Sequence, residues 1–287
     1  MKLVFIHGRS QEGKDPVKLQ RHWEDAFDEG LGAAGLSRPA GLTVELPFYA
    51  DKLDELVDEA DADLVEDAAT KGADTDSAEV DFRGAWFAEM AEESNVTDAD
   101  IQSHFKGDLQ KKGVGNWEWV HSILKALDST PLGSKAIDAF TRDVYVYLSY
   151  RAVRRAIDSI VAPSIAGPCV VVGHSLGSVV GFNVLRSIDP SVDVKSYITV
   201  GSPLGVKAVK EKLQKPLKMP SCTNNWYNAM DEGDVVALYP LDGKNFDIDP
   251  SIVNKTNVEN DTDNQHGISG YLKDPDVARA ISAALMS

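Results

Sequence analysis

Three consecutive valines, Val170, Val171 and Val172, run directly into Gly173-His174-Ser175-Leu176-Gly177, and an apolar pattern of helical period follows at once. No other feature limits the fold so strongly. A short β-branched run suits a strand buried on both faces, as in parallel sheets covered by helices. Val179, Val180, Phe182, Val184, Leu185 and Ile188 recur at the spacing of one helix face. Strand, G-x-S-x-G turn and helix together make the pattern of a nucleophile elbow, which holds a serine in strained backbone at the top of a sheet. Gly173 and Gly177 lack Cβ atoms and let strand and helix pass closely. A helix starting at the serine turns its positive end toward any oxyanion formed there. A Gly-rich turn with a solvent-exposed serine would explain the pentapeptide, but not the elements on either side of it.

The rest of the chain fits an α/β rhythm. Lys2 to Ile6 reads as a buried strand, Leu19 to Leu31 as a helix with Trp23, Phe27 and Leu31 on one face, and Leu42 to Phe48 as a second strand. A strand–helix–strand unit implies a parallel sheet. Later strands are expected at Val194–Val200, Cys222–Ala229 and Phe246–Ile248, with a closing helix over Asp276–Met286. A single long helix is expected from Ser134 to Val161.

The net charge of −16 is concentrated. Residues 51–110 hold 19 acidic and 4 basic side chains, and the remainder of the chain is almost neutral. In the same region Leu53, Leu56, Val57 and Leu64 suggest one amphipathic helix, and Phe82, Trp86, Phe87 and Met90 a second. Polar breaks at Lys71–Asp76, Gly113–Asn116 and Pro131–Gly133 separate the helical stretches. The expected organisation is a sheet domain from 1–50 and 133–287 interrupted by an acidic helical cap at 51–132. Trp86, Phe87, Trp117 and Trp119 read as the core of that cap, not as a docking face.

An acidic chain is a poor partner for nucleic acid or anionic membrane surfaces. Its apolar start is too short for a signal peptide, and no stretch approaches the ~20 apolar residues of a membrane span. Cys169 and Cys222 alone supply neither a disulfide framework nor a metal set. The expectation is a cytoplasmic protein with no stable membrane insertion, no metal and no cofactor, acting on a small-molecule acyl substrate.

A serine needs a base to take its proton and an acid to orient that base. The elbow arrangement orders them Ser, then Asp or Glu, then His. His266 is the only histidine downstream of Ser175, and it lies in the polar loop Asp261–Gly267. Asp231, Glu232 and Asp234 follow the strand ending at Ala229, and Asp234 is favoured because Val235-Val236-Ala237 can bury it against the sheet. Two backbone N–H donors are needed for an oxyanion. Leu176, after the serine, and Arg9, in the Gly8 turn after the first strand, are the candidates. The Arg9 side chain is left open between a pocket position and a solvated surface.

Two other classes compete. Gly8-Arg9-Ser10-Gln11-Glu12-Gly13-Lys14-Asp15 nearly spells a phosphate-binding loop. Asp15 stands where a hydroxyl should reach Mg²⁺, however, Pro16 follows it, and Glu12 would repel phosphate. A non-catalytic binding module would be marked by loss of a member of the serine, acid and histidine set, and none is missing.

Phe5-Ile6-His7-Gly8, Gly173-His174-Ser175-Leu176-Gly177, Gly201-Ser202-Pro203-Leu204, Asp234-Val235-Val236-Ala237 and His266 before the last helix together resemble the α/β-hydrolase superfamily, and within it the lipase-like serine esterases. The resemblance covers about 1–50 and 134–287. It implies a three-layer sandwich with a mostly parallel sheet, a Ser175–Asp234–His266 triad, no metal, and hydrolysis of a carboxylic ester; a helical cap at such an insertion tends to choose the substrate. Amidases, thioesterases and acyltransferases share the same scaffold. The match starts at the first core strand, without the leading strand pair of larger members. His7-Gly8 continues into Arg9-Ser10 in place of a glycine triplet, which argues against esters of bulky tertiary alcohols.

Overall fold

The central strands are apolar on both faces, and their period-two alternation divides those side chains between two cores. In β1 (Lys2–Ile6), β3 (Cys169–His174) and β4 (Val194–Val200), Leu3, Phe5, Val170, Val172, Ile198 and Val200 enter one hydrophobic cluster. Val4, Ile6, Cys169, Val171, Val194 and Tyr197 enter the other. The computed structural model describes residues 1–71, 77–107, 113, 116–223 and 225–287, the side chains of 61–71 excepted. The expected Leu64 contact, the break at 72–76, Val114-Gly115 and Asn224 lie outside the described residues.

With β2 (Thr43–Glu45), β5 (Trp226–Ala229) and β6 (Val253–Lys255), the strands form one six-stranded sheet in the order β2-β1-β3-β4-β5-β6, parallel throughout. The chain moves from β1 outward to β2, then returns to the other side of β1 as β3. That reversal is a topological switch point, and the crevice beyond the strand ends there is where open parallel sheets bind ligands. Ile6 pairs with Gly173 across it, two residues before Ser175.

Helices cover both faces. α1 (Pro16–Ala33) packs with α10 (Ile268–Lys273) and α11 (Pro275–Leu285) on one side. On the other, α8 (Leu176–Ser187) lies on β1 and β3. Among the described residues, six α-helices are inserted between β2 and β3: α2 (Ala50–Lys71), α3 (Ser77–Glu93), α4 (Asp98–His104), α5 (Trp117–Ala126), α6 (Ser134–Ser149) and α7 (Arg151–Val161). α9 (Lys207–Lys212) contacts α3 and α6. Trp86, Phe87 and Trp119 are buried in the same cluster as Val4 and Ile6, so the inserted helices and the sheet face share a continuous core, while Trp117 is 40% exposed. No described helix is long and apolar enough to cross a membrane.

Several sequence expectations are corrected. The helix expected over Ser134–Val161 breaks at Tyr150, whose backbone is extended at φ −95°, ψ 107°. Tyr147 Oη donates to Asp158 Oδ1 at 2.7 Å across the break. Eleven residues of straight helix would hold those side chains about 16 Å apart. Phe246–Ile248 does not pair with the sheet. Phe246 instead packs edge-on against Phe182 and Trp226, each at 5.6 Å between ring centroids, and the edge strand is Val253–Lys255. The strand expected from Cys222 starts only at Trp226, because Thr223 N–H closes a turn onto Pro220 C=O at 3.1 Å. β2 stops at Glu45; Pro47, two residues on, has no N–H to offer a ladder.

Candidate active site

The elbow is built by close approach. A Cβ on Gly177 would lie 2.1 Å from Ile6 O, so only glycine lets α8 cross the end of β1. Ser175 takes φ 56°, ψ −129°, a conformation that costs a non-glycine residue about 1–3 kcal/mol. Its N–H reaches Val200 O at 3.2 Å, and its C=O accepts from Ser178 Oγ at 2.6 Å. Leu176 is the first residue of α8, so its N–H belongs to the turn that lacks intrahelical acceptors.

The loop after β1 is held against the serine. A Cβ on Gly8 would stand 2.8 Å from Ser175 Cβ and 3.2 Å from its Oγ. His7 fixes this loop from behind. Tyr49 N–H donates to His7 Nε2 at 3.2 Å, which leaves the ring proton on Nδ1, where it donates to Gly8 O at 2.7 Å. Tyr49 Oη also donates to His7 O, and the two rings stack at 4.0 Å. Burial lowers the His7 pKa to about 4, so the ring is neutral at pH 7.

His266, in the loop before α10, meets the serine. Its Nε2 lies 2.9 Å from Ser175 Oγ, and its Nδ1 lies 2.7 Å from Asp234 Oδ2. Asp234 can only accept there, so Nδ1 carries the proton and Nε2 is free to accept from the serine hydroxyl. Asp234 is fully enclosed, with its Oδ1 accepting from the backbone N–H of Val236 at 2.9 Å and Ala237 at 3.3 Å. Burial works to raise its pKa, but His266, Tyr271 and the Val236 amide outweigh it and hold the carboxyl below its ordinary value.

Two further residues complete the arrangement, and sequence reasoning gave neither a role. Tyr271 Oη donates to Asp234 Oδ2 at 2.6 Å and accepts from Asp231 N–H at 3.2 Å. His174 Nε2 donates to His266 O at 2.8 Å and so pins the histidine loop to the elbow. Burial lowers the His174 pKa to about 3. The cue for His174 was its place inside the pentapeptide; Tyr271 sits on a six-residue helix that gives no periodic signal.

Of the other candidate acids, Asp231 accepts from Gly233 N–H at 2.7 Å and Asn260 N–H at 2.6 Å, and Glu232 is exposed. The Arg9 guanidinium donates from Nε to Asp143 Oδ2 at 2.6 Å, which ties the Gly8 loop to α6. In the segment resembling a phosphate loop, Asp15 accepts from Val17 and Lys18 N–H at 2.9 and 3.2 Å, so a carboxylate already occupies the start of α1.

Ser175 and His266 open into a cavity of about 360 Å³. Gly8, Arg9, Lys14 and His22 line one side of it, and Leu132, Ala136, Phe140, Val236 and Ile268 supply apolar wall. The Phe140 ring stands edge-on to His266 at 6.2 Å. A hydroxyl, an imidazole and a buried carboxylate in hydrogen-bonded sequence at a cavity wall can move a proton from oxygen to nitrogen and stabilise the resulting imidazolium. Comparisons with known proteins find no match: no family model fits the chain, and no curated protein and no solved structure is significantly similar to it.

Proposed function

We propose that this chain is a serine hydrolase of the α/β-hydrolase kind that cleaves a carboxylic ester through an acyl-enzyme intermediate. The observation that carries this reading is the continuous run from Ser175 Oγ to His266 Nε2 at 2.9 Å and from His266 Nδ1 to Asp234 Oδ2 at 2.7 Å, set at the switch point of a parallel sheet. His266 takes the Ser175 proton as the oxygen attacks the acyl carbonyl. Asp234 stabilises the imidazolium. The amides of Leu176 and Arg9 receive the oxyanion, the first at the start of α8 and the second in the loop that Gly8 seats against the serine. The imidazolium returns its proton to the departing alcohol. Water then attacks the acyl-enzyme with His266 as base, and the carboxylic acid leaves.

The inserted helices act as the cap over this site. Leu132, at the end of the 51–132 segment, and Ala136 and Phe140 on α6 form the acyl-facing wall. Amides, thioesters and transfer to acceptors other than water use the same groups, and a substrate panel separates them. The decisive test is labelling with a fluorophosphonate and mapping of the modified residue. The adduct is expected on Ser175, and Ser175→Ala is expected to lower kcat by about 10³- to 10⁶-fold with the circular dichroism spectrum unchanged. Undiminished turnover in that variant removes the reading.

A further inference from the structure

The cavity in front of Ser175 has a charge opposite to that of the molecule. The chain carries 45 acidic and 29 basic residues. Among the described residues lining the cavity, the titratable ones are Arg9, Lys14, His22, His174 and His266, with no aspartate or glutamate. Arg9, Lys14 and His22 all come from the loop after β1 and the first turns of α1.

The described neighbouring carboxylates stand outside the cavity lining and are engaged by other groups. Asp143 holds Arg9 Nε, Asp15 caps α1, and Asp51 accepts from Gly13 N–H at 2.7 Å. Glu12 and Asp54 lie close to each other, and Asp54 also interacts with Arg9, but neither lines the cavity. The pair with Asp143 fixes the Arg9 side chain through Nε, and the two terminal amino groups make no hydrogen bond among the described residues. Among the described residues, Lys14 Nζ donates only to the neutral Gln11 Oε1, at 3.0 Å. An oriented guanidinium and a lysine with no acid partner, beside apolar wall, suit a substrate with an anionic end and an apolar body.

We infer that the preferred substrates are esters bearing an anionic oxygen group, such as a carboxylate, which rests against Arg9 and Lys14 while the scissile carbonyl meets Ser175. This inference rests on the hydrolase reading of the site.

Steady-state kinetics of the full chain test it in two arms. One compares 4-nitrophenyl hexanoate with the 4-nitrophenyl monoester of adipic acid, which places the charge on the acyl side. The other compares the butyrate esters of 4-hydroxybenzamide and 4-hydroxybenzoate, which places it on the alcohol side. Each rate is corrected for spontaneous hydrolysis. In at least one arm the anionic ester is expected to show kcat/KM about three- to tenfold above its neutral partner, expressed through KM. About 0.5 M NaCl should collapse that ratio, and so should Lys14→Met, a substitution at an exposed position.

Turnover of neutral esters with no anionic preference in either arm overturns the inference and leaves the hydrolase reading standing. A preference that survives both salt and Lys14→Met also overturns it. No turnover of any ester, with no fluorophosphonate adduct on Ser175, overturns the hydrolase reading beneath it.

Discussion

Asp231 and Asp234 stand three residues apart, both buried, and they serve different ends. Asp234 Oδ2 faces an imidazole and a phenol, whereas Asp231 Oδ1 closes a turn at Gly233 N–H and its Oδ2 accepts from the distant Asn260 N–H. Asp234→Asn is therefore expected to reverse the His266 tautomer and lower kcat by about 10⁴-fold with little loss of stability. Asp231→Asn should do the opposite. It turns an acceptor into a donor against a backbone N–H, which costs about 2 kcal/mol and leaves kcat within a few-fold. Kinetics and urea denaturation of the two variants separate these effects, and the reverse pattern would reassign the acid. The burial of Asp234 was legible because Val235-Val236-Ala237 gives the turn an apolar anchor, and Val236 and Ala237 are the residues whose amides grip the carboxylate. Tyr271 was not legible, because nothing local distinguishes a tyrosine that reaches an acid 37 positions away from one that fills a core. Arg9 and Asp143 meet across 134 positions and were equally hidden.

At the scale of elements, what is contiguous in sequence was readable and what pairs at a distance was not. The elbow joins β3 to α8 through one turn, so its three signals sit side by side. β6 is three residues of an edge strand, with Val253 62% exposed, and has no alternation to read. The bend between α6 and α7 brings Tyr147 to Asp158, a long-range contact that apolar spacing does not encode. The crossing of α8 over β1 gives the sharpest test at this scale. Gly177→Ala places a methyl 2.1 Å from Ile6 O, where backbone meets backbone and no side chain can yield. A loss of about 3 kcal/mol or more is expected, read as a lowered urea midpoint. Gly32→Ala on α1, where a Cβ meets nothing within 4 Å, serves as the control. It should raise stability by about 0.5 kcal/mol. Equal effects at the two sites would mean that α8 does not lie against β1 as described.

Taken whole, the molecule builds its site on neutral imidazoles inside an acidic chain, and this gives its stability a distinct pH dependence. Histidine titrates near 6.5 in the unfolded chain, whereas burial holds His7 at about 4 and His174 at about 3. Above pH 6.5 neither state takes up these protons. Below it the unfolded chain binds protons that the folded chain refuses, so stability falls as pH drops, down to the folded values. At pH 5 each ring contributes a loss on the order of 2 kcal/mol. Effects of two kinds oppose this. Repulsion within a chain of net charge −16 relaxes toward its pI of about 4.7. Asp158, whose pKa burial raises to about 6, gains a proton more readily folded than unfolded, and burial acts in the same direction on Asp143, Glu89 and Asp54. Both histidines are nearly or fully buried, and charges at the surface are screened, so the loss should dominate. Urea denaturation is expected to show lower stability at pH 5 than at pH 7, and Asp158→Asn should steepen the decline by removing one of the opposing contributions. A stability that holds level or rises toward pH 5 would mean that these rings accept protons in place, and the hydrogen bond that His7 Nε2 accepts from Tyr49 N–H would then have to be redrawn.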